Sequence, residues 1–316
     1  MPETMRAIGV VEGGGPEALE VMELPAPHAG AGEVRIRVHA AAVNPTDTVV
    51  RSGRVPAYRA AAPPPYVPGM DAAGVLDEIG EGVETTIQVG DHVMAIVLPA
   101  GAHGAYAQEV VVPIESVARV PAGTSDVEAC TLPMNGLTAL QALEVLDLQP
   151  GQTLAVTGAA GAVGGYVIQL AKHAGLRVLA DASEADESLV ARLGADVVVR
   201  RGDDVAARFL EAAPRGVDGA LDAALLSSLL LPAVKDGGRI ACVRPFQGET
   251  VRGIQILLVL VFNWAKEQAK LDHLRQLVED GVLTLRVART FSAADASEAH
   301  RQLEAGGVRG RLVLEL

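Results

Sequence analysis

The sequence predicts an α/β protein that joins a β-rich domain to a doubly wound parallel sheet. Short β-branched segments separated by Gly and Pro fill roughly the first 120 residues. Strand-like and helix-like segments then alternate between residues 152 and 243, as in sheets built from right-handed crossovers. The length of 316 residues is also typical of two domains rather than one.

The predicted strands of the β-rich part lie at residues 34–43, 90–95 and 106–112. The first is rich in β-branched residues with partial alternation, the second follows a Gly90-Asp91 turn, and the third stops at Pro113. Dense Gly-Pro punctuation separates these segments. Short strands at this spacing predict a small, mostly β domain, in the form of an irregular barrel.

The middle of the chain begins with helical periodicity over residues 127–146, broken near Pro133 and Gly136, with Ser125 and Asp126 as N-caps. The alternating units follow, with predicted strands at 152–156, 177–180, 196–199, 219–221 and 238–243 and predicted helices at 162–174, 184–193, 203–212 and 225–234. This order predicts a Rossmann-type parallel sheet.

The last part of the chain is too short to stand alone and is expected to complete the first domain. Its apolar stretch at 254–264 is shorter than the ~20 residues that span a bilayer and is expected to be a buried helix or strand. A helix at 271–280, a strand at 285–287, a helix at 293–305 and a strand at 312–316 follow. We predict domain limits of 1–123, 124–262 and 263–316, the last segment returning to the first domain.

Composition narrows the class of partner. The chain carries 26 Lys and Arg against 39 Asp and Glu, a formal net charge of −13, so it lacks the basic surface that nucleic acids require. Its 2 cysteines cannot form a disulfide framework, and the first ten residues do not resemble a secretory signal. We therefore expect a cytoplasmic protein that acts on a small molecule, with neither nucleic acid nor membrane as its main partner.

A glycine-rich turn between a predicted strand and a predicted helix carries the strongest chemical signal. Its glycines let the backbone approach a pyrophosphate, and the helix N-terminus offers N–H groups and a positive dipole end. The alternative is a tight turn with no ligand. The predicted cofactor contacts in this turn are Gly158, Ala160, Gly161, Ala162, Val163 and Gly164.

Asp181, at the end of the next predicted strand, bears on the choice of dinucleotide. A carboxylate at this place accepts hydrogen bonds from the ribose 2′-OH of NAD, whereas the 2′-phosphate of NADP requires Arg or Lys. Acidic residues follow Asp181, and the nearest cations after the third strand are Arg200 and Arg201. These residues favour NADH, with NADPH as the open alternative and a helix-capping role for Asp181 as another.

Several motifs, taken in order, resemble the zinc-independent medium-chain dehydrogenases/reductases of the quinone oxidoreductase (zeta-crystallin-like) group over essentially the whole chain. The segments that carry the resemblance are AVNPTDTVVRSG at 42–53, VPGMDAAG at 67–74, GDHV at 90–93, GAYA at 104–107, residues 132–139, the glycine turn, Ala299-His300 and GRLV at 310–313.

The resemblance implies a GroES-like catalytic domain built from both ends of the chain and an inserted Rossmann cofactor domain. It implies hydride transfer from NADH or NADPH to quinones or α,β-unsaturated carbonyls. It also implies a homodimer in which edge strands of the cofactor domains pair, here residues 238–243. Two other functions stay open: an enoyl-thioester reductase, and a dinucleotide-binding sensor without catalysis.

The resemblance also implies that catalysis does not use zinc. Zinc-dependent relatives carry Cys and His where this chain has Asn44 and Met70, so that Asp71 alone remains of that ligand set. A catalytic zinc needs three protein ligands around one open position. Cys130 and Cys242 lie outside the motifs and are expected in the core.

By the same resemblance, Asn44 is the candidate catalytic donor to the substrate oxygen, the alternative being a turn residue before Pro45. Thr46 is a second candidate donor, unless it is a surface hydroxyl. Val49 stands where many relatives carry Tyr and predicts an aliphatic substrate cleft, which Tyr58 is a candidate to reach.

Two further positions are implied as cofactor contacts. Thr138 matches a residue near the nicotinamide in relatives, and Phe246 follows the last predicted sheet strand as a candidate to cover the ring. Asp47 and Arg51, spaced i and i+4, are expected to form an ion pair.

Overall fold

In the computed structural model, residues 3–54, 63–98 and 104–316 are described, and the chain divides into two compact units. Unit 1 comprises Met1–Met134, Phe262–Asp280 and Leu285–Leu316, and unit 2 comprises Asn135–Val261 and Gly281–Thr284. The division differs from the predicted domain limits mainly in giving residues 124–134 to unit 1 and 281–284 to unit 2. The limits 1–123, 124–262 and 263–316 stay predictions.

The strands and helices follow one another in two groups, β-rich at the ends of the chain and alternating in its middle. The strands are β1 (Thr4–Gly9), β2 (Glu20–Pro25), β3 (Glu33–Val43), β4 (Asp71–Ile79), β5 (His92–Ile96), β6 (Glu109–Pro113), β7 (Val117–Arg119), β8 (Thr153–Thr157), β9 (Arg177–Ala182), β10 (Val197–Arg200), β11 (Val217–Asp222), β12 (Val234–Cys242), β13 (Gln255–Leu258), β14 (Val287–Ser292) and β15 (Arg311–Glu315). The α-helices are α1 (Pro45–Arg51), α2 (Asp126–Ala129), α3 (Pro133–Leu146), α4 (Ala162–His173), α5 (Glu187–Arg192), α6 (Val205–Ala212), α7 (Gln268–Glu279) and α8 (Ala296–Ala305).

Unit 1 is organised around β3, which pairs antiparallel with β4, β6 and β15. The sheet has the order β14-β15-β3-β4-β5-β7, and a separate hairpin joins β1 and β2. Val34, Ile36 and Val38 of β3 are buried and alternate with more exposed residues, as a half-buried strand requires. Because β15 pairs with β3, the end of the chain completes the sheet of unit 1.

Unit 2 is a six-stranded parallel sheet with the order β10-β9-β8-β11-β12-β13. Its first strand, β8, lies in the middle, so the strand order reverses between β8 and β11. In doubly wound sheets, ligands bind beyond the carboxyl ends of the strands at such a reversal. The predicted α/β class, with one β-rich part and one doubly wound part, is confirmed.

Two predictions for unit 2 are wrong, the helical type of residues 225–234 and the edge position of the strand at 238–243. The predicted helix at 225–234 is a 3-10 helix, Ser227–Ala233, because Pro232 lies inside it and cannot continue an α-helical hydrogen-bond pattern. The predicted edge strand at 238–243 corresponds to β12, which is covered by β13. Among the described residues, the edge strand on this side of the sheet is therefore β13.

The apolar stretch at 254–264 forms the edge strand β13 and a 3-10 helix, Val261–Trp264. It is only partly buried, since an edge strand is covered on one side: Leu258 and Leu260 each keep 42% of their surface exposed. Within residues 3–54, 63–98 and 104–316, every helix is too short or too polar to cross a membrane.

Candidate active site

The glycine turn lies at the reversal point of the unit 2 sheet, between β8 and α4. Gly158 has φ +67°, and a Cβ there would lie 3.0 Å from the backbone carbon of Ala223. A Cβ on Gly164 would lie 2.4 Å from the carbonyl oxygen of Gly158. Glycine at both positions is therefore required for the left-handed turn and for the close approach of α4 to it.

The first turn of α4 presents backbone donors to this end of the sheet. Gly161 is its N-cap and supplies no side-chain acceptor, so the N–H groups of Ala162, Val163 and Gly164 belong to the part of a helix that has no intrahelical acceptors. These groups, with the dipole of the helix, suit a pyrophosphate. The structure brings together all six predicted residues of the turn.

Asp181 lies beside the same turn, buried within β9. Its Oδ1 accepts the backbone N–H of Ala159 at 3.1 Å, and 4% of the residue is exposed. Burial raises the pKa of Asp181, against the opposing effects of this hydrogen bond and the charge of Arg201. The carboxylate therefore holds the turn, a contact that sequence reasoning did not foresee.

Asp222, which the sequence analysis missed, fixes the other side of the reversal point. It ends β11 directly beside Thr157 of β8, and the Thr157 hydroxyl donates to its Oδ1 at 3.1 Å. The backbone N–H groups of Leu226 and Ser227 donate to its two oxygens at 2.9 and 2.7 Å. The only sequence signal was an acidic residue at the end of a predicted strand.

The other two predicted cofactor contacts lie elsewhere in unit 2. Thr138 is buried in α3, and Phe246 follows β12 and packs, half-buried, against the core that contains Ile240 and Cys242. Their role toward a cofactor stays a prediction.

Asn44 lies in unit 1 at the N-cap of α1, completely buried. Its backbone N–H donates to Asp47 Oδ2 at 2.8 Å, which is half of a capping box. Its side-chain Nδ2 donates to Asp71 Oδ2 at 2.7 Å and makes a longer contact of 3.4 Å with the carbonyl oxygen of Ala42. The amide thus links the start of α1 to the start of β4.

Asp71 is a completely buried carboxyl group with two N–H donors. Besides Asn44, the backbone N–H of Met134 donates to its Oδ1 at 2.7 Å. Burial raises the pKa of Asp71 to about 7, although both hydrogen bonds and the positive charge of Arg311 oppose this rise. A proton can therefore be taken up or released there near neutral pH.

A catalytic zinc does not fit this part of unit 1. The residues at the positions that bear zinc ligands in the resembled enzymes are an amide, Asn44, and a buried thioether, Met70. Both oxygens of the remaining Asp71 already accept N–H groups. Burial raises the pKa of the Cys130 thiol, and the negative charges of Asp71 and Asp126 add to this rise, so the thiolate that zinc binds is disfavoured.

Asp47 ends a directional chain of hydrogen bonds that crosses unit 1. Arg51 Nη1 lies 3.2 Å from His300 Nδ1, His300 Nε2 lies 3.2 Å from the Tyr106 hydroxyl, and this hydroxyl donates to Asp47 Oδ2 at 3.1 Å. Arg51 can only donate, which assigns neutral His300 as the Nε2–H tautomer. Burial lowers the pKa of His300 to about 4, in agreement with a neutral ring.

The predicted ion pair between Asp47 and Arg51 is wrong. Arg51 Nη2 instead binds Glu304 Oε1 at 2.6 Å, and Asp47 accepts the N–H of Gly69 at 3.1 Å. The spacing i and i+4 places the two side chains near each other on α1, but tertiary partners from α8 and from the loop before β4 take both. Burial raises the pKa of Asp47 to about 6.

Of the other three residues predicted to lie near the substrate, the structure describes Thr46 and Val49. Thr46 and Val49 are half-buried on α1, directly after Asn44. Tyr58 lies outside the described residues. The structure brings together Asn44, Thr46 and Val49, and each role toward substrate stays a prediction.

A glycine-rich turn at the reversal point of a doubly wound sheet, together with a β-rich unit built from both ends of the chain, is typical of oxidoreductases of the medium-chain dehydrogenase class. The profile of the alcohol dehydrogenase GroES-like domain matches residues 30–122, and that of the zinc-binding dehydrogenase family matches residues 193–314.

Relatives extend this match over nearly the whole chain. The chloroplastic quinone-oxidoreductase QR1 of Triphysaria versicolor is 30% identical over 319 residues, which cover 96% of this chain and 95% of the relative. The 2-haloacrylate reductase of a Burkholderia species is 29% identical over 324 residues, covering 95% and 96%. A mycobacterial protein solved as a complex with NADPH has a TM-score of 0.87 at 29% identity, covering 99% and 100%. The chain belongs to the quinone oxidoreductase family of the medium-chain dehydrogenases/reductases.

Proposed function

We propose that this oxidoreductase transfers hydride from NADH or NADPH to quinones or α,β-unsaturated carbonyls without zinc. The glycine turn carries the proposal, because Gly158 and Gly164 let α4 begin close against the turn, so that the first N–H groups of α4 face the reversal point of the sheet, where a pyrophosphate would bind. The names of the relatives support both acceptor classes, since a quinone and a 2-haloacrylate each offer an electron-poor carbon conjugated to a carbonyl. The NADPH complex of the mycobacterial relative supports the cofactor.

The residues of the turn, from Gly158 to Gly164, would hold the pyrophosphate through backbone N–H groups. When bound, a reduced nicotinamide supplies a hydride. Negative charge then develops on the carbonyl oxygen of the acceptor, and preorganised N–H or O–H donors lower the barrier by stabilising it.

Two side chains at the start of α1 are the proposed donors to this oxygen. Thr46 is half-buried and offers a hydroxyl. Asn44 offers its second Nδ2–H, whose contact with Ala42 is long at 3.4 Å and can give way to a stronger acceptor. Asn44 is completely buried, so it can also act indirectly. As the N-cap of α1, it can hold Thr46 in position toward the substrate oxygen. A fall in kcat at constant KM after removal of the Asn44 amide distinguishes donation to the oxygen from positioning of Thr46.

The proton that completes the reduction has a candidate source in Asp71. Its pKa of about 7 permits both protonation states at neutral pH, and it binds Asn44 directly. We propose that protonated Asp71, beside Asn44, supplies this proton and becomes a carboxylate, which takes up a proton from solvent after the product leaves.

The proposed preference for NADH depends on Asp181. A carboxylate that accepts the Ala159 N–H can still offer its other oxygen to a ribose hydroxyl, although burial limits the approach. Arg200 lies at the end of β10 and is paired with Glu184 at 3.3 Å, which offsets the charge that would attract a 2′-phosphate. These contacts support NADH, and direct comparison of the two dinucleotides decides the matter.

We propose that the protein is a homodimer that pairs through β13. Among the described residues, β13 pairs with β12 on one side only, and Leu258 and Leu260 are exposed at its end, which makes it a template for a second copy. Light scattering on the wild type and on Leu258→Lys tests this, with Val251→Lys as an exposed apolar control. A wild-type monomer at micromolar concentration contradicts the dimer.

The function is tested by titrating the protein with NADH and NADPH by fluorescence and then measuring turnover with quinones, enones and 2-haloacrylates. We expect saturable binding and NAD(P)H oxidation that depends on the acceptor, with no loss after chelation of metal. Turnover with acyl-thioesters alone identifies an enoyl-thioester reductase instead. Binding without turnover on any acceptor identifies a sensor.

A further inference from the structure

Three side chains from distant parts of the sequence meet at the surface of unit 1. His39 lies on β3, His92 begins β5, and Asp126 begins α2. His39 Nδ1 lies 2.7 Å from Asp126 Oδ2, and His92 Nδ1 lies 2.9 and 3.0 Å from Asp126 Oδ1 and Oδ2. We propose that His39, His92 and Asp126 form a binding site for a divalent transition-metal ion such as Zn²⁺ or Ni²⁺.

The donor set is the first argument. Two imidazole nitrogens and one carboxylate oxygen are typical ligands of Zn²⁺ and Ni²⁺, and three protein ligands leave one position for water. The ligand atoms of the three residues all lie within 4.8 Å of one another. Within residues 3–54, 63–98 and 104–316, these three residues form the single group of three or more His, Cys, Asp or Glu side chains with that spacing.

The distances are the second argument. Ligands at about 2.0–2.1 Å from a tetrahedral ion lie roughly 3.3 Å from one another. The present N···O distances of 2.7 and 2.9 Å therefore need to lengthen by only about half an ångström to admit the ion. The imidazole side chains are 44% and 57% exposed, so they have room to move and an ion can reach them from solvent.

The convergence of the two rings is the third argument. The ring centroids of His39 and His92 lie 6.0 Å apart at an interplanar angle of 67°. The two Nδ1 atoms therefore approach the Asp126 carboxylate from different directions. His28 and Glu78, in contrast, form an ordinary pair at 3.1 Å with a single imidazole. That pair has one His ligand too few and is the matched control.

An ion at this site would tie α2 to two strands of the sheet. The helix α2 has only four residues and depends on its Ser125 capping box and on tertiary contacts, because helices this short are unstable alone. Asp126 is its first residue, so binding of the ion fixes α2 to β3 and β5. The ion therefore stabilises unit 1 through residues that lie apart from Asn44 and Asp71.

The test uses the full chain without a histidine tag, treated with chelator and dialysed into a buffer that does not bind metal at pH 7.5. We expect titration calorimetry with ZnCl₂ and with NiCl₂ to show one ion per chain. The melting temperature should rise with the concentration of the ion. His39→Gln and His92→Gln, which leave the capping box intact, should each weaken binding by at least about tenfold, whereas His28→Gln should not.

Absence of saturable binding by the wild type overturns the proposal. So does binding that survives in the double variant His39→Gln/His92→Gln, because the ion then sits elsewhere. X-ray absorption of the zinc-loaded wild type should show two imidazoles in the coordination sphere, and a sphere of oxygens alone contradicts the site. The measurement is independent of turnover, so its outcome is separate from that of the proposed oxidoreductase activity.

Discussion

The side-chain amide of Asn44 donates to the carboxylate of Asp71 at 2.7 Å, and both residues are completely buried. In the resembled zinc enzymes the position of Asn44 holds a metal ligand, whereas here its side-chain amide binds Asp71. Burial raises the pKa of this carboxyl group to about 7, although its hydrogen bonds and the positive charge of Arg311 oppose the rise. Several measurable properties depend on this pair.

Asn44→Ala should reduce turnover strongly, with binding of NADH or NADPH unchanged, since the glycine turn belongs to unit 2. It also leaves Asp71 with one N–H donor fewer, which should lower the free energy of unfolding by about 1–3 kcal/mol. A fall in kcat with constant KM indicates donation to the oxygen in the transition state. Thr48→Val is the control, because it removes a hydroxyl of the same helix that donates to the carbonyl oxygen of Pro45 at 2.8 Å. Kinetics like the wild type in Asn44→Ala exclude the role of Asn44.

Thr46→Val complements that variant, because it removes a hydroxyl but keeps the size and shape of the side chain. If Thr46 contacts the developing oxyanion, kcat should fall by roughly 10–100-fold with little change in stability. Steady-state kinetics with a quinone, together with a thermal melt, measure both quantities. Unchanged kcat assigns Thr46 to the surface, which was the alternative from the sequence.

Asp71→Asn should alter the pH dependence of stability. The folded pKa of about 7 lies above the ordinary value of 3.8, so the folded state retains a proton that the unfolded state has released between about pH 4 and pH 7. Stability from this group is present below pH 4 and is lost as the pH rises through 7. The variant lacks this loss, so its free energy of unfolding minus that of the wild type should be larger at pH 8 than at pH 5, which means that the variant is relatively more stable at pH 8. Parallel curves contradict the raised pKa.

His300→Gln should act on the acid side, with the opposite sign. The folded pKa of about 4 lies below the ordinary 6.5, so the unfolded state binds a proton first as the pH falls. Stability from neutral His300 is present above pH 6.5 and is lost as the pH falls toward 4. Urea titrations of the wild type and of His300→Gln at pH 5 and pH 7 measure this, and the wild type alone should lose this contribution. His273→Gln, on α7, serves as the control.

Gly164→Ala should weaken binding of NADH and NADPH alike. Its Cβ would lie 2.4 Å from the Gly158 oxygen, so α4 or the turn must shift, at a cost of about 1–3 kcal/mol. Gly161→Ala meets the same atom at 3.1 Å and should have the smaller effect. Equal affinity in Gly164→Ala and the wild type argues against the turn as the pyrophosphate site.

Asp181→Asn separates the two roles of that carboxylate. A contact with the ribose predicts weaker binding of NADH with binding of NADPH unchanged or improved, because only NADPH carries a phosphate there. A role confined to holding Ala159 predicts an equal loss for both dinucleotides. Fluorescence titrations with each cofactor decide between them, and the second outcome removes the argument for NADH.

The order of the elements could be predicted because it depends on local patterns. The strand β3, the strand–turn–helix of β8 and α4, and the Ser125 cap each lie in a short segment whose periodicity or turn residues specify it. The hairpin of β1 and β2, with Val21 exposed and with few β-branched residues, lacks such a pattern and was missed. The edge position of β13 was also missed, since the strand order of a sheet is decided by pairing between distant segments.

The sequence by itself determined the α/β class, the glycine turn between a strand and a helix, the family, and the presence of Asn44 and Met70 where the resembled zinc enzymes carry metal ligands. The tertiary structure decided which polar groups meet. Asn44 binds Asp71 across 27 residues, Tyr106 meets His300 across 194, and His39 meets Asp126 across 87. A local pattern specifies the conformation of a segment, but the partner of a buried polar side chain depends on where the strands end and how they pair. Burial in the fold also raises the pKa of Asp71 and lowers that of His300.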